Sequence, residues 1–82
     1  MMNCWIYKGT KREQTYLFVA AEEAFDSVPD ALLNAMGELT LVMSLELDEQ
    51  RKLVGADVSQ VMHDLSSRGY FLQLPPALEH AR

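Results

Sequence analysis

The sequence predicts an α+β fold, a two-layer sandwich in which helices cover one face of a mainly antiparallel sheet of about four strands. Two segments near the N-terminus have the composition of strands, a third alternates apolar and polar residues, and helix-capping residues separate the later elements. Together these features give the element order β-β-α-β-α-α-β.

The first two strands are predicted to form a β-hairpin. Asn3–Lys8 and Thr15–Ala20 are rich in aromatic and β-branched residues, which favour strands. The segment between them, residues 9–14, is short and polar and begins with glycine, so a reversal of the chain is the simplest connection.

The first helix is predicted to begin within Ser27–Asp30 and to end at Gly37. Ser27 is the predicted N-cap, and Pro29 suits the first turn because N–H groups there have no intrahelical partner. Apolar residues then recur at helical spacing, at Val28, Leu32, Ala35 and Met36.

Leu39–Leu47 is predicted to be a half-buried strand. Its odd-numbered residues are all leucine or methionine, and these are expected on one face of the sheet. Asp48 is then the predicted cap of a short helix, Glu49–Val54.

The stretch Asp57–Pro76 is the unit around which the predicted fold is organised. Asp57 is the predicted N-cap of a helix, with Gln60 as its capping-box partner. Gly69 ends this helix, and Tyr70–Leu74 follows as the fourth strand, which two prolines end. The buried stripe of the helix is predicted to contain Val58, Val61, Met62 and Leu65.

The side chains of the hairpin divide between a helix-covered face and an open face of the predicted sheet. Cys4, Ile6, Leu17 and Val19 are expected to face the helices. This assignment leaves four aromatic side chains on the open face, Trp5, Tyr7, Tyr16 and Phe18. An exposed aromatic patch of this kind indicates a contact surface.

Length and composition predict a single domain, residues 1–76, followed by a frayed tail, residues 77–82. The chain has 82 residues, of which 49% are hydrophobic and 23% charged, which is enough for one core. Its net charge of −5 disfavours polyanions and membrane surfaces as partners.

The N-terminus has no signal-peptide pattern, and no stretch of about 18 apolar residues occurs. The single cysteine fits a reducing compartment. We therefore expect a cytoplasmic protein.

Five segments of the chain form a recognisable set: CWIY at 4–7, KREQTYL at 11–17, VP at 28–29, ADV at 56–58 and GYFLQLPP at 69–76. They resemble the YcgL-domain proteins of gamma-proteobacteria over nearly the whole chain, and the last segment is the most specific. The resemblance implies a small cytoplasmic α/β protein with an antiparallel sheet. It implies no activity, substrate or catalytic residue.

The hairpin and its strands supply the predicted binding residues. Positive charge concentrates in the hairpin, and aromatic residues flank it, so that the predicted set is Trp5, Tyr7, Lys8, Lys11, Arg12, Tyr16 and Phe18. We expect a non-catalytic interaction module that binds a protein partner through its sheet face and basic hairpin. The alternative is a single-stranded RNA-binding module, in which rings stack on bases and cations hold phosphates. The acidic net charge disfavours that alternative.

A small enzyme that uses Cys4 or His63 is a further alternative, because a thiol and an imidazole can form a nucleophilic pair. No pattern brings the two together, since Cys4 is expected inside the sheet and His63 lies beside the apolar stripe of its helix. No zinc or calcium ligand spacing occurs either. We therefore expect a protein that is not an enzyme, with no metal and no cofactor, present as a monomer or weak dimer.

Overall fold

The computed structural model describes residues 2–12, 14–50, 53 and 57–74, which form a four-stranded antiparallel sheet and two helices. In chain order these are β1 (Met2–Gly9), β2 (Tyr16–Val19), α1 (Asp30–Met36), β3 (Leu39–Leu47), α2 (Val58–Ser67) and β4 (Tyr70–Gln73). The strand order in the sheet is β3-β1-β2-β4. The predicted α+β class, antiparallel sheet and order of these elements are confirmed.

Two predicted segments fall largely outside the described residues. For the predicted helix Glu49–Val54, the structure describes a turn at Glu49 and Gln50 and an isolated bridge residue at Leu53. The two prolines after β4 and the predicted tail, residues 77–82, also lie outside them.

The two helices lie on opposite faces of the sheet, which differs from the expected arrangement on one face. Val61 and Leu65 of α2 share one buried cluster with Cys4 and Ile6 of β1. Met36 of α1 belongs to a second buried cluster, which contains Tyr7, the residue that follows Ile6. Because successive residues of a strand point to opposite faces, the sheet has an α1 face and an α2 face, each covered by one helix.

The register of the hairpin divides its side chains differently from the prediction. Trp5 pairs with Val19, and Tyr7 pairs with Leu17. Directly paired residues share a face, so these four side chains all lie on the α1 face. Cys4, Ile6, Tyr16 and Phe18 lie on the α2 face. The predicted open face with four aromatic residues is therefore wrong, because the aromatic residues of the two strands point in opposite directions.

A β-bulge in β3 moves its apolar residues to both faces of the sheet. Ile6 pairs with Met43 and the next residue, Tyr7, pairs with Leu41, so the register skips Val42. Leu41 therefore shares the α1 face with Tyr7, whereas Met43 shares the α2 face with Ile6. The predicted single apolar face of β3 is wrong for this reason. Around the bulge, Leu41, Val42 and Met43 are 43%, 46% and 48% exposed.

The first helix ends as predicted but begins differently. Gly37 adopts a φ of 81° and donates its N–H to the carbonyl of Leu33 at 3.1 Å, which is a glycine-dependent helix end. The N-cap is Pro29 and no side chain caps the helix, so the predicted Ser27 cap is wrong. The hydroxyl of Ser27 instead lies against Gly69, where an added Cβ would approach it to 2.5 Å.

The second helix has the predicted cap but not the predicted capping box. The carboxylate of Asp57 accepts from the backbone N–H of Ser59 at 3.1 Å. Gln60 donates its side-chain amide forward to Asp64 at 2.9 Å rather than back to the cap. Asp64 is buried, and a buried carboxylate needs hydrogen-bond donors, which accounts for the direction of Gln60.

Removing the cap of α2 should destabilise the protein modestly. Asp57→Ala is expected to lower the free energy of unfolding by about 0.5–2 kcal/mol, because an N–H of the first turn loses its acceptor. Urea denaturation followed by circular dichroism measures the change. Asp57→Asn is the matched control and should retain most of the stability, so an equal loss in both variants would contradict the capping role.

Candidate functional site

A row of four polar side chains crosses the whole sheet at its hairpin end. Thr40 of β3 pairs with Lys8 of β1, Lys8 pairs with Tyr16 of β2, and Tyr16 pairs with Gln73 of β4. All four lie on the α2 face, because Lys8 continues the alternation of Cys4 and Ile6 along β1. This polar row is the border of the candidate site.

The neighbouring row on the same face is apolar and contains Met43, Ile6, Phe18 and Phe71 in register. Phe18 is buried, and its ring meets the ring of Phe71 edge-on at 5.5 Å. Ile6 is also buried, whereas Met43 at the edge of the sheet is exposed. The apolar row therefore runs from a packed centre to an exposed edge.

Two cavities open on this part of the α2 face and share the side chain of Tyr16. The first, the hairpin pocket, has a volume of about 390 Å³ and lies over the polar row. The second, the apolar groove, has a volume of about 350 Å³ and lies over the apolar row. The hairpin pocket is lined by Lys8, Gly9, Thr10, Arg12, Gln14, Tyr16 and Thr40. The apolar groove is lined by Ile6, Tyr16, Phe18, Val42, Met43, Leu45, Leu53 and Gln73.

The hairpin pocket is locally cationic in an acidic protein. Among the described residues that line it, Lys8 and Arg12 carry positive charge and none carries a carboxylate. Both side chains are exposed, so neither has the desolvation cost of a buried charge before a ligand arrives. Hydroxyl and amide groups of Thr10, Thr40 and Gln14 surround them. This set of donors suits an anionic group.

The hairpin is held in place by hydrogen bonds to the end of α1. The backbone N–H of Lys11 donates to the carbonyl of Met36 at 3.0 Å, and that of Thr10 donates to the carbonyl of Glu38 at 3.0 Å. The hydroxyl of Thr10 accepts from the N–H of Glu38 at 3.1 Å. Of the two cations of the pocket, Lys8 therefore lies on β1 and Arg12 follows an anchored part of the turn.

The structure brings together four of the seven predicted binding residues: Lys8, Arg12, Tyr16 and Phe18 line the two cavities. Lys11 does not line them, and its ammonium group donates to the carbonyl of Asn34 at 3.3 Å, near the C-terminal end of α1. A cation at that position also interacts favourably with the helix dipole. Lys11 therefore has a structural contact of its own.

The other two predicted residues lie on the opposite, α1 face. Tyr7 is buried, its hydroxyl accepts from the backbone N–H of Glu23 at 2.8 Å, and its ring meets Phe25 edge-on at 4.9 Å. Trp5 is half-buried and packs in the same cluster. The loop between β2 and α1, together with α1, thus covers the aromatic residues that the sequence predicted to be open.

Cys4 and His63 do not form a common site. Cys4 is fully buried under α2, whereas His63 is exposed on that helix. Within the described part of the chain, no group of three His, Cys, Asp or Glu side chains is placed to hold a metal ion. No helix in that part is long and apolar enough to cross a membrane.

Sequence reasoning missed the other residues that line the two cavities, among them Thr40, Val42, Met43 and Gln73. Regular alternation along β3 assigns Met43 to a buried face and gives no sign of the bulge. The alignment of Gln73 with Tyr16 and Lys8 depends on the strand order. No local pattern in the sequence gives that order.

Comparison with known proteins identifies the family of this chain. The family model of the YcgL domain matches residues 4–76. A YcgL domain-containing protein of Klebsiella pneumoniae is 49% identical over 79 residues, which cover 96% of this chain and 85% of that protein. Protein YcgL of Salmonella typhi is 49% identical over 78 residues, which cover 95% of this chain and 71% of the relative. The sequence and these matches agree, and the chain belongs to the YcgL domain family.

Proposed function

We propose that this protein is a non-catalytic binding module that receives a segment of a partner protein at the hairpin end of the α2 face. The observation that carries the proposal is that the hairpin pocket and the apolar groove lie on the same face and share Tyr16 as a lining residue. Residues from all four strands contribute to this surface. A rigid sheet therefore presents a cationic area and an apolar area side by side.

The exposed edge of the groove favours a macromolecular partner over a small enclosed ligand. Val42 and Met43 are each nearly half exposed on β3, an edge strand of the described sheet. Protein interfaces combine an apolar centre with a polar rim, and edge strands are common docking positions for extended segments. Both features occur here on one surface.

The lining of the two cavities favours binding over catalysis. The described residues that line them include no His, Cys, Asp or Glu. General acid–base and nucleophilic catalysis most often use side chains of these types. The available groups, two cations with hydroxyl, amide and apolar neighbours, are suited to holding a ligand.

The burial of the aromatic residues favours a protein partner over single-stranded RNA. Base stacking needs exposed ring faces, but Tyr7 and Phe18 are buried, and Trp5 lies on the opposite face. Tyr16 is half-buried and is the aromatic residue that both cavities share. The net charge of −5 also opposes a long polyanion.

The proposed function predicts that a charge placed in the apolar groove abolishes capture of the partner. Met43→Asp should reduce recovery of a specific partner protein from native cell extract by about tenfold or more, because a carboxylate would then be desolvated in the interface. Quantitative mass spectrometry of tagged protein, with and without nuclease treatment, measures the recovery. The stability of the variant should stay close to that of the wild type, since Met43 is exposed.

Ser66→Asp is the matched control, because Ser66 is exposed on α2 and does not line either cavity. This variant should recover the same partner as the wild type. Equal loss in both variants, or no loss in Met43→Asp, would contradict the assignment of the surface. Loss of the signal on nuclease treatment alone would replace the protein partner with a nucleic acid.

A further inference from the structure

We infer that the partner segment bound by this module carries a carboxylate two residues away from a large apolar side chain. The inference rests on the proposed function and specifies the chemistry of the same site. It follows from the spacing of the polar and apolar rows and from the charges that border them.

The two rows have the spacing of side chains in an extended peptide. Lys8 and Ile6 are two residues apart on β1 and lie on the same face, so their rows are separated by roughly 6–7 Å. In an extended partner segment, residues i and i+2 also point to the same side and are separated by the same distance. One side chain of such a segment can therefore meet the polar row while the next on that side meets the apolar row.

The polar row selects a carboxylate at the first of these positions. Lys8 and Arg12 provide two cations, and no described residue lining the hairpin pocket neutralises them. Charge-assisted hydrogen bonds from lysine and arginine to a carboxylate are stronger than those between neutral groups. The carboxylate can be an Asp or Glu side chain, or the free C-terminus of the partner.

The apolar groove selects a large apolar side chain at the second of these positions. Ile6, Met43 and Leu45 line it together with the ring of Phe18. The exposed side chain of Met43 is flexible and suits contacts with ligands of different shapes. Leucine, isoleucine, methionine or phenylalanine would bury apolar surface there, with a favourable free energy proportional to the area removed from water.

Neighbouring cations of the hairpin provide a matched test of this inference. Arg12 lines the hairpin pocket, whereas the ammonium group of Lys11 donates to Asn34 and lies outside the pocket lining. Arg12→Glu and Lys11→Glu make the same change of net charge at adjacent positions. A general effect of charge would appear in both, while recognition of a carboxylate would change only in Arg12→Glu.

In the experiment, random linear peptides with either a free or an amidated C-terminus are selected for binding to the 82-residue protein. The wild type should enrich peptides with Asp, Glu or the free C-terminus two positions from Leu, Ile, Met or Phe. Arg12→Glu should lower that acidic enrichment by about tenfold, the loss of one charge-assisted contact, and Lys11→Glu should leave it unchanged. Amidation separates the terminal carboxylate from the side-chain carboxylate. Circular dichroism verifies that each variant is folded.

Other results overturn the inference in distinguishable ways. The selected peptides could lose binding in Met43→Asp and yet show no enrichment of acidic residues. This result would overturn the inference and leave the proposed function standing. Binding of labelled oligouridine, with no peptide enriched in any variant, would overturn both. Equal effects of Arg12→Glu and Lys11→Glu would show that net charge, and not the hairpin pocket, sets the preference.

Discussion

Leu65→Ala should lower the free energy of unfolding by about 2–5 kcal/mol, the range for a buried leucine replaced by alanine. Leu65 is 4% exposed and packs in the cluster that joins α2 to β1 and β2. Alanine would leave a cavity there that the surrounding sheet cannot close. Because a chain of this length has a total stability of roughly 4–12 kcal/mol, the variant should lose a large fraction of it.

Urea denaturation measured by circular dichroism tests this prediction. Leu74→Ala is the matched control, because Leu74 undergoes the same chemical change while being 53% exposed. The control should change the stability by no more than about 0.5 kcal/mol. If Leu65→Ala were as mild as Leu74→Ala, the packing of α2 on the sheet would be wrong.

The positions of the strands and helices could be predicted because their signals are local. Asp57 caps α2 with its own side chain, and Gly37 and Gly69 adopt φ angles of 81° and 89° at helix ends. Such signals need only a few neighbouring residues. The antiparallel hairpin likewise follows from two strand-like segments joined by a short polar turn.

The placement of the helices on opposite faces depends on long-range packing, although the first two strands contain a signal for it. Residues 4–7 and 16–19 are nearly continuous runs of apolar and aromatic residues. Strands of this type are buried on both faces, in contrast to β3, which alternates. On this pattern Trp5 and Tyr7 belong to the core of a second face, where the structure places them.

The candidate site could be predicted only in part, for a related reason. Lys8, Arg12 and Tyr16 are recognisable because charge and aromatic character concentrate in the hairpin. Met43 lies on the α2 face and Leu41 on the α1 face because the register between β1 and β3 skips Val42, a shift that the alternating pattern of β3 does not indicate. The polar row likewise exists because four strands from distant parts of the chain share one register.

Gly9→Ala should lower the free energy of unfolding by about 1–3 kcal/mol, the usual cost of overpacking. A Cβ at Gly9 would overlap the carbonyl oxygen of Met36 at the end of α1. That carbonyl cannot move away freely, because it also accepts the backbone N–H of Lys11 at 3.0 Å. The contact involves backbone on both sides, so no rotation of a side chain can relieve it.

Thermal denaturation measures the effect of Gly9→Ala, which should lower the Tm by roughly 5–20 °C for a domain of this size. Lys8→Ala is the control on the same strand and should be close to neutral, since Lys8 is exposed. A Tm for Gly9→Ala equal to that of the wild type would contradict the close approach of the hairpin to α1.

Because Gly9 also lines the hairpin pocket, a displaced hairpin should move Arg12 relative to Met43. Gly9→Ala should therefore weaken the acidic preference in peptide selection even at temperatures where the variant remains folded.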